Sequence, residues 1–149
     1  MIEVRDNRSS CPISTAFEII GDKWSLIVIR DLFLERTTFS EFRNSPEKIS
    51  TKILTDRLNK LLSLALFGYV KNPKNKKIKV NYLKGGGIVL YPILYELSLW
   101  IKKNLDMKFQ PLSVEWYDAI KGKDPKEIIT DISLKYRSFR KGILNELVA

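Results

Sequence analysis

The chain contains no histidine and a single cysteine, Cys11. Without imidazole there is no His-based triad, no His-ligated zinc and no imidazole acid–base step. One cysteine builds neither a thiolate metal cage nor a disulfide framework, and it suits a reducing, cytoplasmic setting. Gly85–Gly87 is not followed by Gly-Lys-Ser/Thr and lacks the dinucleotide-binding spacing. The longest apolar run, Ile88 to Ile101, falls short of the ~20 residues that cross a bilayer and carries Pro92 and Glu96. The N-terminus, MIEVRDNRSS, is polar and shows no secretory signal. No Asp/Glu pair sits in a recognisable catalytic setting. These absences point away from an enzyme, a cofactor, a metal centre and a membrane protein.

Positive charge is abundant. Lys and Arg number 26 against 17 Asp and Glu, a formal net charge of +9. Such a surplus calls for an anionic partner, nucleic acid first and an anionic membrane surface second. With 149 residues and 44% hydrophobic content, the chain is long enough for one packed domain with an added terminal arm.

The most informative stretch is Ser50 to Gly68. Ile53, Leu54, Leu58, Leu61, Leu62 and Ala65 recur at helical spacing and form a candidate core stripe. Ser50 is placed as an N-cap. Thr51, Lys52, Thr55 and Asn59 fall mostly off the stripe. Short hydroxyl and amide side chains beside a lysine suit a helix end that approaches bases and phosphates, and they equally describe an ordinary solvated face. Two short strands follow, Phe67 to Val70 and Ile78 to Leu83, with Asn72, Pro73 and Asn75 as turn residues. Lys71, Lys74, Lys76, Lys77, Lys79 and Lys84 lie in a segment without an acid, giving six of the nine net charges. A basic hairpin directly after an amphipathic helix is the layout of a winged helix: helix in the major groove, wing along phosphates or reaching the minor groove. A solvated lysine loop is the alternative.

Upstream, Pro12 to Ile20 reads as a helix, with Pro12 at its first position and Gly21 at its stop. Asp22 caps a second helix, Lys23 to about Glu35, apolar on most sides. Thr37-Thr38 is a break. Phe39 to about Asn44 forms a short helix with Phe39 and Phe42 inward, and Ser45–Lys48 turns into the next helix. Two helices joined this way make a helix-turn-helix. Downstream, Ile88 to Leu105 is apolar or tyrosine at 12 of 18 positions. Burying such a helix on two faces is easiest with a second subunit, so it is read as a dimer seam. Pro92 either kinks it or marks its start. Candidate interface residues are Phe17, Leu90, Leu94, Leu97, Trp100 and Ile101. Val114 to Ile120 and Pro125 to about Leu147 are further helices, which add to the dimer, cover an edge, or bind a separate partner. The expected organisation is a flexible arm, 1–10, a winged helix-turn-helix and dimerisation domain, 11–111, and a helical extension, 112–149. The class is α+β, mostly helical, with a two-stranded wing and extra dimerisation helices.

Several motifs in order carry a family resemblance. Cys11-Pro12 is followed by Gly21-Asp22-Lys23-Trp24-Ser25-Leu26 and Arg30-Asp31-Leu32. Then come Phe39-Ser40-Glu41-Phe42-Arg43, Ile49-Ser50-Thr51-Lys52-Ile53-Leu54-Thr55-Asp56-Arg57-Leu58 and Leu66-Phe67-Gly68-Tyr69-Val70. Over roughly residues 11 to 105 the chain resembles the HxlR family of bacterial and archaeal transcriptional regulators, within the MarR-like superfamily. The resemblance implies a winged helix-turn-helix homodimer on pseudo-palindromic double-stranded DNA. Several members respond to oxidants or electrophiles through the cysteine matching Cys11. Three departures stand out. The family's Tyr-x-Leu-Thr-x-x-Gly run out of the wing is here Asn81, Leu83, Lys84 and Gly87. The tail beyond about Leu112 is long. The wing is rich in lysine and lacks the arginine often found near its tip.

Individual residues leave choices open. Cys11 stands at a helix start, where the helix end and Arg8 favour negative charge, so it is either a redox sensor or a small inert side chain. Arg43 sits where helix-turn-helix proteins touch the DNA backbone. Arg57 either binds phosphate or braces the helix through Glu41 or Asp31. Lys23 and Trp24 read as a ligand pair or, more simply, as the head of a core helix. Tyr91, Tyr95, Trp100, Trp116 and Tyr117 either line a small-molecule pocket between wing and dimer helices or pack an interface. The DNA-binding candidates are Arg43, Ser50, Thr51, Lys52, Thr55, Arg57, Lys71, Lys74, Lys76 and Lys77. The competing readings are a winged-helix module contacting protein or RNA without an operator, and an enzyme with Cys11 as nucleophile. The latter lacks an evident activating base.

Overall fold

A computed structural model of the protein describes residues 9–148. Most of the expected N-terminal arm, with Arg5 and Arg8, lies outside the described residues. The elements run α1 (Pro12–Ile20), α2 (Ser25–Phe33), α3 (Phe39–Arg43), α4 (Thr51–Ser63), β1 (Phe67–Lys71), β2 (Lys79–Leu83), α5 (Gly85–Ile88), α6 (Tyr91–Asn104), α7 (Pro111–Ile120) and α8 (Pro125–Val148). The fold is mostly helical with one antiparallel hairpin, β1 against β2, in the register Phe67↔Leu83 to Lys71↔Lys79. It is a winged helix-turn-helix.

Local chemistry sets the boundaries. Pro12 occupies the first turn of α1 and Gly21 ends it. A Cβ at Gly21 would lie 2.6 Å from the Phe17 backbone. The second helix is shorter than expected at both ends. Asp22 Oδ1 accepts the Trp24 and Ser25 amides at 2.9 Å, so the regular helix begins after that turn. Its far end is stopped by Glu35, whose φ of 62° is left-handed. Thr38 and Glu41 form a full capping box in front of α3. That helix has only five residues and one inward position, which Phe42 takes; Phe39, expected inward, is exposed.

On α4, Leu54 and Leu61 are fully buried and Leu58 packs against the core. Ile53 and Leu62, also expected inside, are exposed, because the buried stripe narrows to the i, i+4, i+7 line. Ala65 is exposed as well, with a φ of 54° just past the helix end. The core joins Val28, Ile29 and Leu32 of α2 to Phe42, Leu54, Leu61, Leu66, Leu83 and Ile88.

The expected single helix from Ile88 to Leu105 is two helices, broken at Val89 and Leu90, with Pro92 in the first turn of α6. Gly87 explains the tight entry into α5: a Cβ there would come within 2.2 Å of the Leu66 carbonyl oxygen. The C-terminal helix does not stand apart from the winged domain. Tyr136 belongs to the main core, and its hydroxyl accepts the Leu83 N–H at 2.9 Å. Arg140 Nη1 donates to the Leu83 carbonyl at 3.2 Å. Asn81 donates both its backbone and side-chain N–H to Thr37 O. The outer edge of β2 is thereby covered, which removes a template for strand pairing. Among the described residues no helix is long and apolar enough to cross a membrane.

Candidate nucleic-acid interface

The start of α4 is a capped, exposed helix end. Ser50 is extended and its Oγ accepts the Ile53 N–H at 3.3 Å, so this cap sits at the helix end. Thr51, Lys52 and Thr55 are exposed next to it. Thr55 Oγ1 donates to the Thr51 carbonyl at 2.9 Å, which leaves its oxygen free to accept from a base edge. Arg43 Nη1 donates to Thr51 Oγ1 and so links α3 to α4.

The hairpin is positioned beside this helix. Thr55, Asn59 and Leu62 of α4 share a groove of about 130 Å³ with Tyr69, Lys79 and Asn81 of the wing. Asn72 Oδ1 accepts the Lys74 amide at 2.9 Å and Asn75 Oδ1 the Lys77 amide at 3.1 Å. These side-chain turns shape the tip. Lys71, Lys74, Lys76 and Lys77 are all exposed, and among the described residues none has an ion-pair partner. Lys79 instead lies over the Tyr69 ring at 4.3 Å. Asn59 and Lys79 belong to the helix face and the basic hairpin that the sequence marks, whereas Tyr69 has no such mark. The spacing of Asn59 four residues after Thr55 was a legible signal; the cross-strand placement of Tyr69 was not.

Arg57 faces elsewhere. Its Nη1 lies 3.3 Å from Asp22 Oδ2, beside Lys60 at 3.4 Å. Neither expected bracing partner is used: Glu41 takes Thr37 and Thr38, and Asp31 takes Arg30 and Arg36. Arg57 therefore braces α4 against the turn before α2. Burial alone would raise the Asp22 carboxyl. The Ser25 hydroxyl, the Trp24 and Ser25 amides and the Arg57 charge outweigh it and hold the carboxyl at about 2.

A second network fixes the turn between α3 and α4. Arg30 donates to Glu47 at 2.5 and 3.0 Å, to Asp31 at 2.7 Å and to Ser45 at 3.1 Å. Arg36 also reaches the buried Asp31, at 2.9 Å. The Arg30 hydrogen bonds, opposed by burial and helped by Ser45, hold Glu47 at about 2. For Arg30 itself burial works against the charge, and its two carboxylates raise it above its ordinary value.

The expected interface residues lie on open ground. Phe17, Leu97 and Trp100 are 66%, 48% and 58% exposed, while Leu90, Leu94 and Ile101 are half-buried. Cys11 is exposed at the start of α1. Of the aromatic set, Tyr91, Tyr95, Trp116 and Tyr117 converge on one cavity, and Trp100 does not. That cavity adjoins the end of α2 rather than the wing. Trp24, with Leu26, packs against the core, as a core reading required.

The model of the HxlR-like helix-turn-helix family matches residues 19–109. The chain belongs to that family. It is 32% identical over 104 residues to YdeP, an HTH-type transcriptional regulator of Bacillus subtilis (strain 168), covering 68% of this chain and 79% of that protein. It resembles the solved structure of PA1607 with a TM-score of 0.62 at 27% identity, over 70% of this chain and 72% of the other. The redox regulator HypR in its oxidized form matches with a TM-score of 0.57 at 26% identity, over 65% of this chain and all of HypR. This HxlR-like protein is a helix-turn-helix transcriptional regulator, and its α7 and α8 lie beyond the family match.

Proposed function

We propose that this regulator is a homodimer that reads a pseudo-palindromic operator in double-stranded DNA. The observation that carries the reading is the exposed start of α4 beside a hairpin of exposed lysines, with Thr55 also lining the groove between α4 and the base of the wing. Thr51, Lys52 and Thr55 read base edges in the major groove, Ser50 caps the helix end that meets the DNA, Arg43 holds the backbone, and Lys71, Lys74, Lys76 and Lys77 hold phosphates. The exposed apolar lines Ile13–Phe17 on α1 and Ile93–Leu97–Trp100 on α6 are the surface that a second copy covers. Two-fold symmetry sets the two α4 helices about one DNA turn apart, ~34 Å.

Cys11 is the oxidant-responsive residue in this reading, supported by its exposure and by the likeness to HypR. Hydrogen peroxide oxidises two Cys11 thiols of one dimer to an interchain disulfide: the S–S bond forms, the O–O bond breaks, and the two thiol protons leave in two waters. The deciding experiment is a DNA-binding titration with the chain's own upstream region, run with a scrambled competitor at several salt concentrations. Lys52→Ala and Thr55→Ala should weaken specific binding and spare non-specific binding. Equal affinity for both DNAs would replace the operator reading with a module lacking sequence preference. Light scattering at micromolar concentration should give a dimer mass, and a monomer would end the dimer assignment.

A further inference from the structure

A cavity of about 310 Å³ opens between the end of α2, α6, α7 and α8. Its walls include Phe33, Tyr91, Tyr95 and Trp116, with ring centroids 5.1 Å apart for Phe33–Tyr91 and 5.9 Å for Tyr95–Trp116. Its charged lining is entirely cationic: Arg30, Arg36 and Lys135, with no carboxylate. Lys135 is exposed and, among the described residues, has no ion-pair partner. Arg36 contributes only Nη1 to Asp31, so further donors remain on its guanidinium. Much of the wall comes from α7 and α8, which the family match does not reach. An aromatic enclosure of this size, with a cationic lining, fits a ligand with one flat apolar body and one negative end.

We propose that the cavity binds a small aromatic monocarboxylate, its ring against Phe33, Tyr91 and Trp116 and its carboxylate on Arg36 and Lys135. Arg30 and Pro46 share the lining, and Arg30 also holds Glu47 and Ser45 in the turn before α4. A carboxylate on Arg36 competes with Asp31, the carboxylate that Arg36 shares with Arg30. This consequence, unlike the binding itself, rests on the DNA-binding reading.

The test uses the full chain without DNA, 1-naphthoate as probe and 1-naphthamide as its uncharged counterpart, followed by calorimetry. Saturable binding of naphthoate at one site per chain is expected, with the amide about tenfold weaker or more. Lys135→Glu should weaken naphthoate by a similar factor without moving the melting temperature. Ser113→Trp, which fills the cavity, should abolish binding. No saturable binding, equal binding of acid and amide, or binding that survives Ser113→Trp would each overturn the proposal. So would a dimer that Ser113→Trp turns into monomers, which would give the cavity to a second copy. Naphthoate should also change affinity for the upstream DNA; a chain that binds naphthoate but no DNA would sink the DNA reading and leave the site standing.

Discussion

Two clusters of positive charge in this molecule have opposite fates. On the wing, Lys71, Lys74, Lys76 and Lys77 are exposed and unpaired among the described residues. Behind the helix-turn-helix, Arg30 and Arg36 close on Asp31 and Glu47. The wing supplies free charge, which attracts a polyanion and adds little to stability. The arginine network meets most of its charge internally: Arg30, a planar multi-donor group, fixes a turn, while Arg36 gives one Nη1 bond to Asp31 and keeps further donors. Net charge alone does not separate these roles; the neighbouring carboxylates do.

Breaking the network should have the largest effect on stability. Asp31→Ala leaves two guanidinium groups without their shared buried carboxylate, at a cost of about 3 kcal/mol. That is the low end for a broken buried pair, since both arginines keep solvent contact. Urea unfolding measures it, and a change within ~0.5 kcal/mol would show the network to be dispensable.

Breaking the wing should do the reverse. Replacing Lys74, Lys76 and Lys77 together by alanine should leave the urea midpoint unchanged. It should flatten the dependence of log affinity on log salt by roughly two to three per wing engaged. An unchanged slope would remove the wing from the DNA interface.

Two smaller effects sharpen the contrast. Tyr136→Phe removes the acceptor for the Leu83 N–H at the β2 edge and should cost about 1–2 kcal/mol, read from the same unfolding curves. Glu47 titrates at about 2 in the folded chain against an ordinary 4.5. Its pairing therefore stabilises the fold fully above about pH 4.5, and the contribution is lost as pH falls through about 2. Glu47→Gln should flatten the stability profile across that window, whereas the wing triple variant should leave its shape unchanged.

The helix-turn-helix and the wing were legible because their signals are local. Ser50 three residues before Ile53, Pro12 at a helix start, and asparagines around a lysine tip each act within a few residues of themselves. The capping box at Thr38 and Glu41 is equally local, its two side chains three positions apart. The choice of Phe42 over Phe39 was not readable, because a single short turn offers both and only the core beneath selects one.

The sequence by itself determined the family, the order of elements as far as β2, the basic hairpin and the absence of histidine chemistry. These follow from composition, caps and periodicity, which need no knowledge of what lies across the core. Tertiary structure alone decided that Arg57 pairs with Asp22 and that Tyr136 and Arg140 cover the edge of β2. It also decided that five aromatics and three cations line one cavity. Leu83 and Tyr136 are separated by 53 positions, and no local pattern encodes that contact. It exists because α8 must bury its apolar stripe, and the open edge of the hairpin is where buried polar groups still need partners.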